Sequence, residues 1–174
     1  VVIDNEYGPV IRAQSSSGAG GIVRKMSEDP QELPFIKWSW KVEDVLSDSS
    51  VSRKDGDDFA ARLMISFKRR GPESENIDDN ILCYVWASEE PVNTFAPNPH
   101  LKNVMTVVAA GAEEQTGRWL EISRNVVEDY RQAFSEDPGL ITGVALMTDC
   151  DNTESSALAW YGPIWLSGEA DGSN

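Results

Sequence analysis

Histidine and cysteine are nearly missing from this chain of 174 residues, which holds one His, His100, and two Cys, Cys83 and Cys150. So few nitrogen and sulfur ligands cannot supply a zinc site, and a Cys/His triad would have no second histidine in reserve. Positive charge is scarce too: 15 Lys and Arg stand against 29 Asp and Glu, a formal net charge of −14. The electrostatic footprint for phosphate backbones is lacking, so nucleic acid and anionic membrane surfaces are excluded as partners, and acidic polymers are repelled. No apolar run approaches the length of a bilayer span, which excludes membrane insertion by a helix. Fixed-period repeats, heptads and low-complexity tracts are absent. Gly18-Ala19-Gly20-Gly21 lacks the Lys-Ser/Thr ending and following helix of a phosphate loop, and there is no Gly-x-Ser-x-Gly elbow.

What is present is a 40% hydrophobic composition with six Trp, too apolar for a disordered chain. The length suits one domain, and 1–167 reads as a single β-sandwich domain followed by a Gly, Ser and acid-rich flexible tail at 168–174. The chain opens at Val1 without a Met, a basic n-region or an apolar signal core, so it reads as a processed or trimmed product.

Strand-like runs at 9–13, 20–26, 35–42, 59–67, 81–87, 104–110, 119–123, 140–148 and 157–166 are separated by Gly, Pro, Asp, Asn and Ser. They predict a mainly β fold, an antiparallel β-sandwich of jelly-roll type. Alternation is clearest in 35–42, where Ile36, Trp38, Trp40 and Val42 share one face and Lys37, Ser39 and Lys41 the other. The next run places Phe59, Ala61, Leu63, Ile65 and Phe67 on one face and Arg62 and Met64 opposite. The run 81–87 is apolar on both faces, as a central strand requires. One short α-helix is predicted around 126–134, with Asn125 as its cap, Glu128 at the capping-box position and Asp137-Pro138-Gly139 as its stop.

If 59–67 and 81–87 pair antiparallel across the polar connection 68–80, Arg62 and Met64 lie beside Tyr84 and Trp86, with room left by Gly143 or Ala145. Sugars stack their C–H faces on indole and phenol rings, and arginine hydrogen-bonds hydroxyls, so Arg62, Tyr84 and Trp86 are the candidate ligand-binding residues for a neutral glycan. The competing reading buries them as a second core layer under the helix, with Arg62 paired to Asp57 or Asp58. A second constellation is the acidic turn Asp149, Asp151 and Asn152, followed by Thr153 and Glu154, whose hard oxygens suit Ca2+. It fails the EF-hand spacing, since Trp160 stands where a bidentate Glu is needed and the turn glycine is missing. A solvated turn is the competing state. An ion shared with Asp55, Asp57 and Asp58 requires the two clusters to meet in space. Paired carboxylates for glycoside hydrolysis are available by abundance alone, and no Glu-x-Asp-x-x-Glu strand marks a glucanase. Cys83 reads as a buried free thiol rather than half of a bridge, and His100, in Pro97-Asn98-Pro99-His100, as a surface residue.

Several phrases in order, Pro34-Phe35-Ile36-Lys37-Trp38-Ser39-Trp40, Asp57-Asp58-Phe59-Ala60-Ala61-Arg62, Leu82-Cys83-Tyr84-Val85-Trp86 and Val144-Ala145-Leu146-Met147-Thr148-Asp149, with Asp151-Asn152-Thr153, resemble the domain-of-unknown-function family 3047 of exported bacterial proteins. The resemblance spans about Val10 to Leu166. It implies a periplasmic or extracellular protein and brings no reaction, ligand or catalytic residue with it. Where the family more usually has a small polar residue, this chain has Cys150. The closing segment, a strand, an Asp/Asn/Thr turn and an aromatic strand ending Tyr161-Gly162-Pro163-Ile164, also looks like the end of jelly-roll carbohydrate-binding modules.

The expected function is therefore a non-catalytic, exported recognition module that takes a carbohydrate ligand on a sheet face and needs no cofactor beyond a possible Ca2+. The rivals are a glycoside hydrolase or polysaccharide lyase, and a structural subunit whose aromatics meet a partner protein.

Overall fold

Short strands that are apolar on one side must bury that side against a second layer. The computed structural model, which describes residues 1–71, 78–111, 115–151 and 156–170, shows how they do so. Pro72 of the 68–80 connection, Asn152, Thr153 and Glu154 of the acidic turn, and the 171–174 end of the tail lie outside the described residues. The described strands are β1 (Val2–Asp4), β2 (Gly8–Ser16), β3 (Ala19–Glu28), β4 (Phe35–Val42), β5 (Arg62–Phe67), β6 (Asn80–Ala87), β7 (Phe95–Pro97), β8 (Val104–Gly111), β9 (Leu120–Asn125), β10 (Ile141–Asp149) and β11 (Ser156–Ser167). They form a five-stranded sheet in the order β1-β2-β11-β4-β9 and a six-stranded sheet in the order β3-β10-β5-β6-β8-β7.

The two sheets pack as a β-sandwich. Its β2-β11-β4-β9 and β3-β10-β5-β6 pairings, with early strands beside late ones and the chain passing repeatedly between sheets, are those of a jelly roll. One pairing departs from the antiparallel expectation. β8 runs parallel to β6, because the chain after β6 turns back through β7 before entering β8.

The core between the sheets follows from the two-residue period. On β4, Ile36, Trp38, Trp40 and Val42 are buried together. Trp38 meets Trp40 edge-on at 5.2 Å, Tyr84 lies 5.2 Å from Trp38, and Trp86 lies 6.0 Å from Trp40. From β5 come Leu63, Ile65 and Phe67. Phe59 does not join them, since the strand begins only at Arg62. Instead the β4–β5 connection folds back over the outside of the six-stranded sheet, where Phe59 and Val51 cover Cys83, Val85 and Val108. That cover explains why β6 is apolar on both faces.

The helix is α1 (Val126–Phe134), and the Asn125 side chain accepts the amides of Val127 and Glu128, as a cap should. It ends one residue before Ser135, which adopts a left-handed conformation (φ 57°) and donates its amide to the Arg131 carbonyl. Tyr130 packs on Phe67 at 5.0 Å, so the helix closes one end of the sandwich. Both thiols are free and buried. No described helix is long and apolar enough to cross a membrane.

The strand register corrects the aromatic platform. β5 and β6 are antiparallel neighbours, but Arg62 pairs with Val85 and Met64 with Cys83. Arg62 thus shares a side with Cys83 and Val85, while Tyr84 and Trp86 point the other way, into the intersheet core, at 0% and 2% exposure. Arg62, Tyr84 and Trp86 do not form one accessible floor.

Trp86→Ala should therefore cost about 3–5 kcal/mol in urea unfolding, the range for emptying an aromatic site in a core. Burial also sets an alkaline limit. It pushes the hydroxyl of Tyr130 up to about 12 and those of Tyr84 and Tyr161 above the ordinary 10, and the Cys83 thiol to about 11 from 9.0. Above pH 9–10 the unfolded chain loses these protons and the native one keeps them, so stability is full below that range and falls as pH rises toward 12. Tyrosinate absorbance should appear together with loss of the near-UV circular dichroism signal.

Candidate functional site

Polar chemistry gathers on the outer face of each sheet. The first place is built where β5 begins and β10 ends, side by side on the outer face of the six-stranded sheet. Arg62 donates through Nε to Asp149 Oδ1 at 2.9 Å and through Nη2 to Asp149 Oδ2, and through Nη1 to Asp57 Oδ1 at 3.1 Å. Its Nη2 also donates to the Asp57 carbonyl, and its guanidinium lies 4.6 Å from the Phe59 ring centre. The Phe59 amide donates to Asp149 Oδ1 at 3.1 Å. Asn98 Nδ2 donates to Asp57 Oδ2 at 3.1 Å. The pairing expected with Asp57 or Asp58 is thus found with Asp57, and Asp149, read from sequence as an ion ligand, is the other partner.

Burial opposes the charge on Arg62, but the Asp149 and Asp57 carboxylates outweigh it and keep the guanidinium protonated. Burial likewise pushes Asp149 up from the ordinary aspartate range, against the pull of Arg62 and the Phe59 amide.

The acidic loops do meet in space. Carboxylate oxygens of Asp58, Asp149 and Asp151 lie within 4.8 Å of one another, with Asp58 and Asp149 buried and Asp151 exposed. A hard cation could use these oxygens, but calcium takes six to eight. Both Asp149 oxygens already accept from Arg62, which supplies the positive charge that an ion would bring. The same engagement withholds Asp149 and Asp57 from general acid or base work on a substrate, which needs a carboxyl open to the scissile bond. His100 stands at the margin, its side chain 44% exposed, with Nε2 4.0 Å from Asp57 Oδ2 and 3.2 Å from the Lys54 carbonyl oxygen.

The second place is the outer face of the five-stranded sheet, which the sequence reading passed over. Lys37 and Lys41 of β4 pair with Trp165 and Trp160 of β11. Five residues apart, these tryptophans would point to opposite sides of a regular strand. An extra residue between Tyr161 and Ile164, at Gly162-Pro163, restores the parity and turns both rings outward. Lys41 Nζ lies 4.7 Å from the Trp160 ring and 5.0 Å from that of Trp119, and Trp119 packs on Tyr7 at 4.6 Å.

Carboxylates hold this aromatic group in place. Asp4 Oδ1 accepts from Trp119 Nε1 at 3.2 Å and its Oδ2 from Lys41 Nζ at 3.3 Å, while the Tyr7 hydroxyl donates to Glu121 at 2.8 Å. The backbone amide of Glu6, then that of Tyr7, the Lys41 ammonium and the Trp119 indole N–H hold Asp4 below its usual range despite some burial. Burial, then the Glu121 bond, pushes Tyr7 up to about 12. Beside the rings is an open hollow of about 500 Å³ lined by Asp4, Asn5, Glu6, Lys41, Arg118 and Trp119. The alternation of Lys37, Ser39 and Lys41 marks this face in the sequence. Nothing local shows that Tyr7 and Trp119, far apart along the chain, would be laid across it.

These features define a β-sandwich domain of jelly-roll topology with a buried arginine–carboxylate node on one outer face and an aromatic, charged hollow on the other. The chain belongs to the family described as "Protein of unknown function (DUF3047)", whose model matches residues 1–165. Comparison with curated proteins finds no match.

The node is structural, and removing one partner leaves a buried charge unmatched. Asp149→Ala should cost about 3–5 kcal/mol in urea unfolding. Arg62→Met combined with Asp149→Asn should cost clearly less than the sum of the two single changes, because each single change already breaks the same bonds.

Proposed function

We propose that the protein is an exported, non-catalytic recognition module that binds a neutral glycan on the outer face of its five-stranded sheet. The observation that carries this reading is the half-buried group Tyr7, Trp119 and Trp160 around Lys41, opening on a hollow lined by Asp4, Glu6 and Arg118. Indole faces suit the C–H faces of pyranose rings, and carboxylates, an amide and cations beside them suit the hydroxyls. The rings are held by Asp4 and Glu121 before any ligand arrives, which lowers the ordering cost of binding. Ligand charge follows from the net charge of −14, which disfavours acidic polysaccharides. Export and a periplasmic or extracellular setting rest on the resemblance of the sequence to exported proteins. The glycan site thereby moves from Arg62, Tyr84 and Trp86 to the opposite side of the molecule.

Titration calorimetry against neutral oligosaccharides, chosen from a glycan array, tests it. Trp119→Ala should lose at least tenfold in affinity, an alanine loss above 1.4 kcal/mol, with the thermal midpoint changed little. An array without a neutral glycan hit, or a Trp119→Ala protein that binds as tightly as the parent, would overturn the reading.

A further inference from the structure

Jelly-roll sheets splay where the chain passes from one to the other, and in this sandwich that edge is left open. β2 and β3 are joined by a tight turn yet belong to different sheets, with β3 pairing only with β10 at the edge of the six-stranded sheet. Past Tyr161, β11 has no β2 partner on that side. The result is a groove of about 570 Å³ between the sheets, floored by Val144, Leu146 and Ile164, with Ile22 of β3 on one wall and Leu166 of β11 on the other. It continues into a smaller hollow of about 280 Å³ that shares Ile11, Ile22 and Leu146 with it. Ile22 is 55% exposed, so apolar surface is left open along the wall that β3 forms.

The chemistry of the lining selects the occupant. Aliphatic side chains make up most of it, and the charged ones are Arg24 and Glu28. Sugar hydroxyls would lose hydration against such walls without regaining hydrogen bonds. A hydrocarbon chain loses nothing there, and the volume is in the range of small-molecule sites. Arg24 supplies the complementary charge. It pairs with Val144 and Ile22 pairs with Leu146, both core residues, so the Arg24 side chain stands on the groove side of β3. Among the described residues its guanidinium has neither a hydrogen bond nor an ion pair, although the chain carries 29 acids. Glu28 lies beyond an irregularity in the β3–β10 pairing, opposite Ile141 and four residues farther along the strand than Arg24.

We propose that this groove binds a linear alkyl carboxylate, its chain lying between the sheets and its carboxylate on Arg24. The site uses neither Trp119 nor Trp160 and stands apart from the glycan reading. An inward-pointing arginine on an edge strand has another use, as a guard against pairing of that edge with a second copy. The two uses separate experimentally.

The test is titration of the intact chain with octanoate, decanoate and dodecanoate below their micelle concentrations, followed by tryptophan fluorescence and calorimetry. Saturable one-to-one binding is expected, tightening with chain length by up to about fourfold per methylene. Arg24→Gln should weaken dodecanoate about tenfold and leave neutral dodecanol unchanged. Ile22→Asp, at an exposed position, should abolish both while the thermal midpoint holds, and Trp119→Ala should alter neither. Absent or non-saturable binding, affinity independent of chain length, or equal dodecanoate affinity in Arg24→Gln would overturn the proposal. So would Arg24→Gln becoming a dimer by sedimentation while binding dodecanoate as the parent does.

Discussion

Two tryptophans separated by one residue on an extended strand must point the same way, and Trp38 and Trp40 of β4 do so into the space that Tyr84 and Trp86 of β6 fill from the opposite sheet. That contact joins the centres of both sheets. It decides which faces of β4 and β6 are inside, and through the pairings of those strands it decides the faces of β11, β9, β5 and β8. Each of the polar sites is a consequence of that choice. Lys37 and Lys41 are outside because Trp38 and Trp40 are inside, and Arg62 is on the outer face of its sheet because Leu63 is on the inner one.

The outer faces are treated differently. Over the six-stranded sheet the β4–β5 connection lies as a lid, with Phe59 and Val51 as its apolar underside, and the cost of enclosing Arg62 there is met by matching it to Asp149 and Asp57. Over the five-stranded sheet the cover is partial. Tyr7 and Trp119 lie across Lys41 and Trp160 but leave the neighbouring hollow open. A closed face contributes stability, and an open one leaves its rings and charges accessible to solvent. The β-bulge at Gly162-Pro163 serves the second face, since without its extra residue Trp165 would turn inward.

Much of the fold was legible in the residues. The alternation in 35–42, the two-sided apolar run at 81–87, the Asn125 cap and the family phrases lead to a sandwich with one short helix; nine of the eleven described strands lie within a few residues of the expected runs, while the three-residue β1 and β7 fall outside them. The site was less so. Arg62, Tyr84 and Trp86 share a face in only one parity of strand pairing; neighbouring strands can be paired in either, and a shift of one residue exchanges the faces. In this structure Arg62 meets Val85, and the rings go to the core. The acidic loops were recognised separately, yet their meeting at Arg62 joins residues 87 positions apart.

The amino-acid order determined by itself what depends on neighbours along the chain: the two-residue period of β4, the capped helix, the turn residues between strands and the acidic charge. Tertiary structure alone decided what depends on register and on which loop covers which sheet. Such choices include the burial of Tyr84 and Trp86, the neutralisation of Asp149 by Arg62, the laying of Tyr7 and Trp119 beside Lys41, and the open edge at Arg24. The physical reason is that side-chain direction in a strand is local, whereas the partner it meets is set by the packing of whole sheets, a long-range balance that no single stretch of sequence contains.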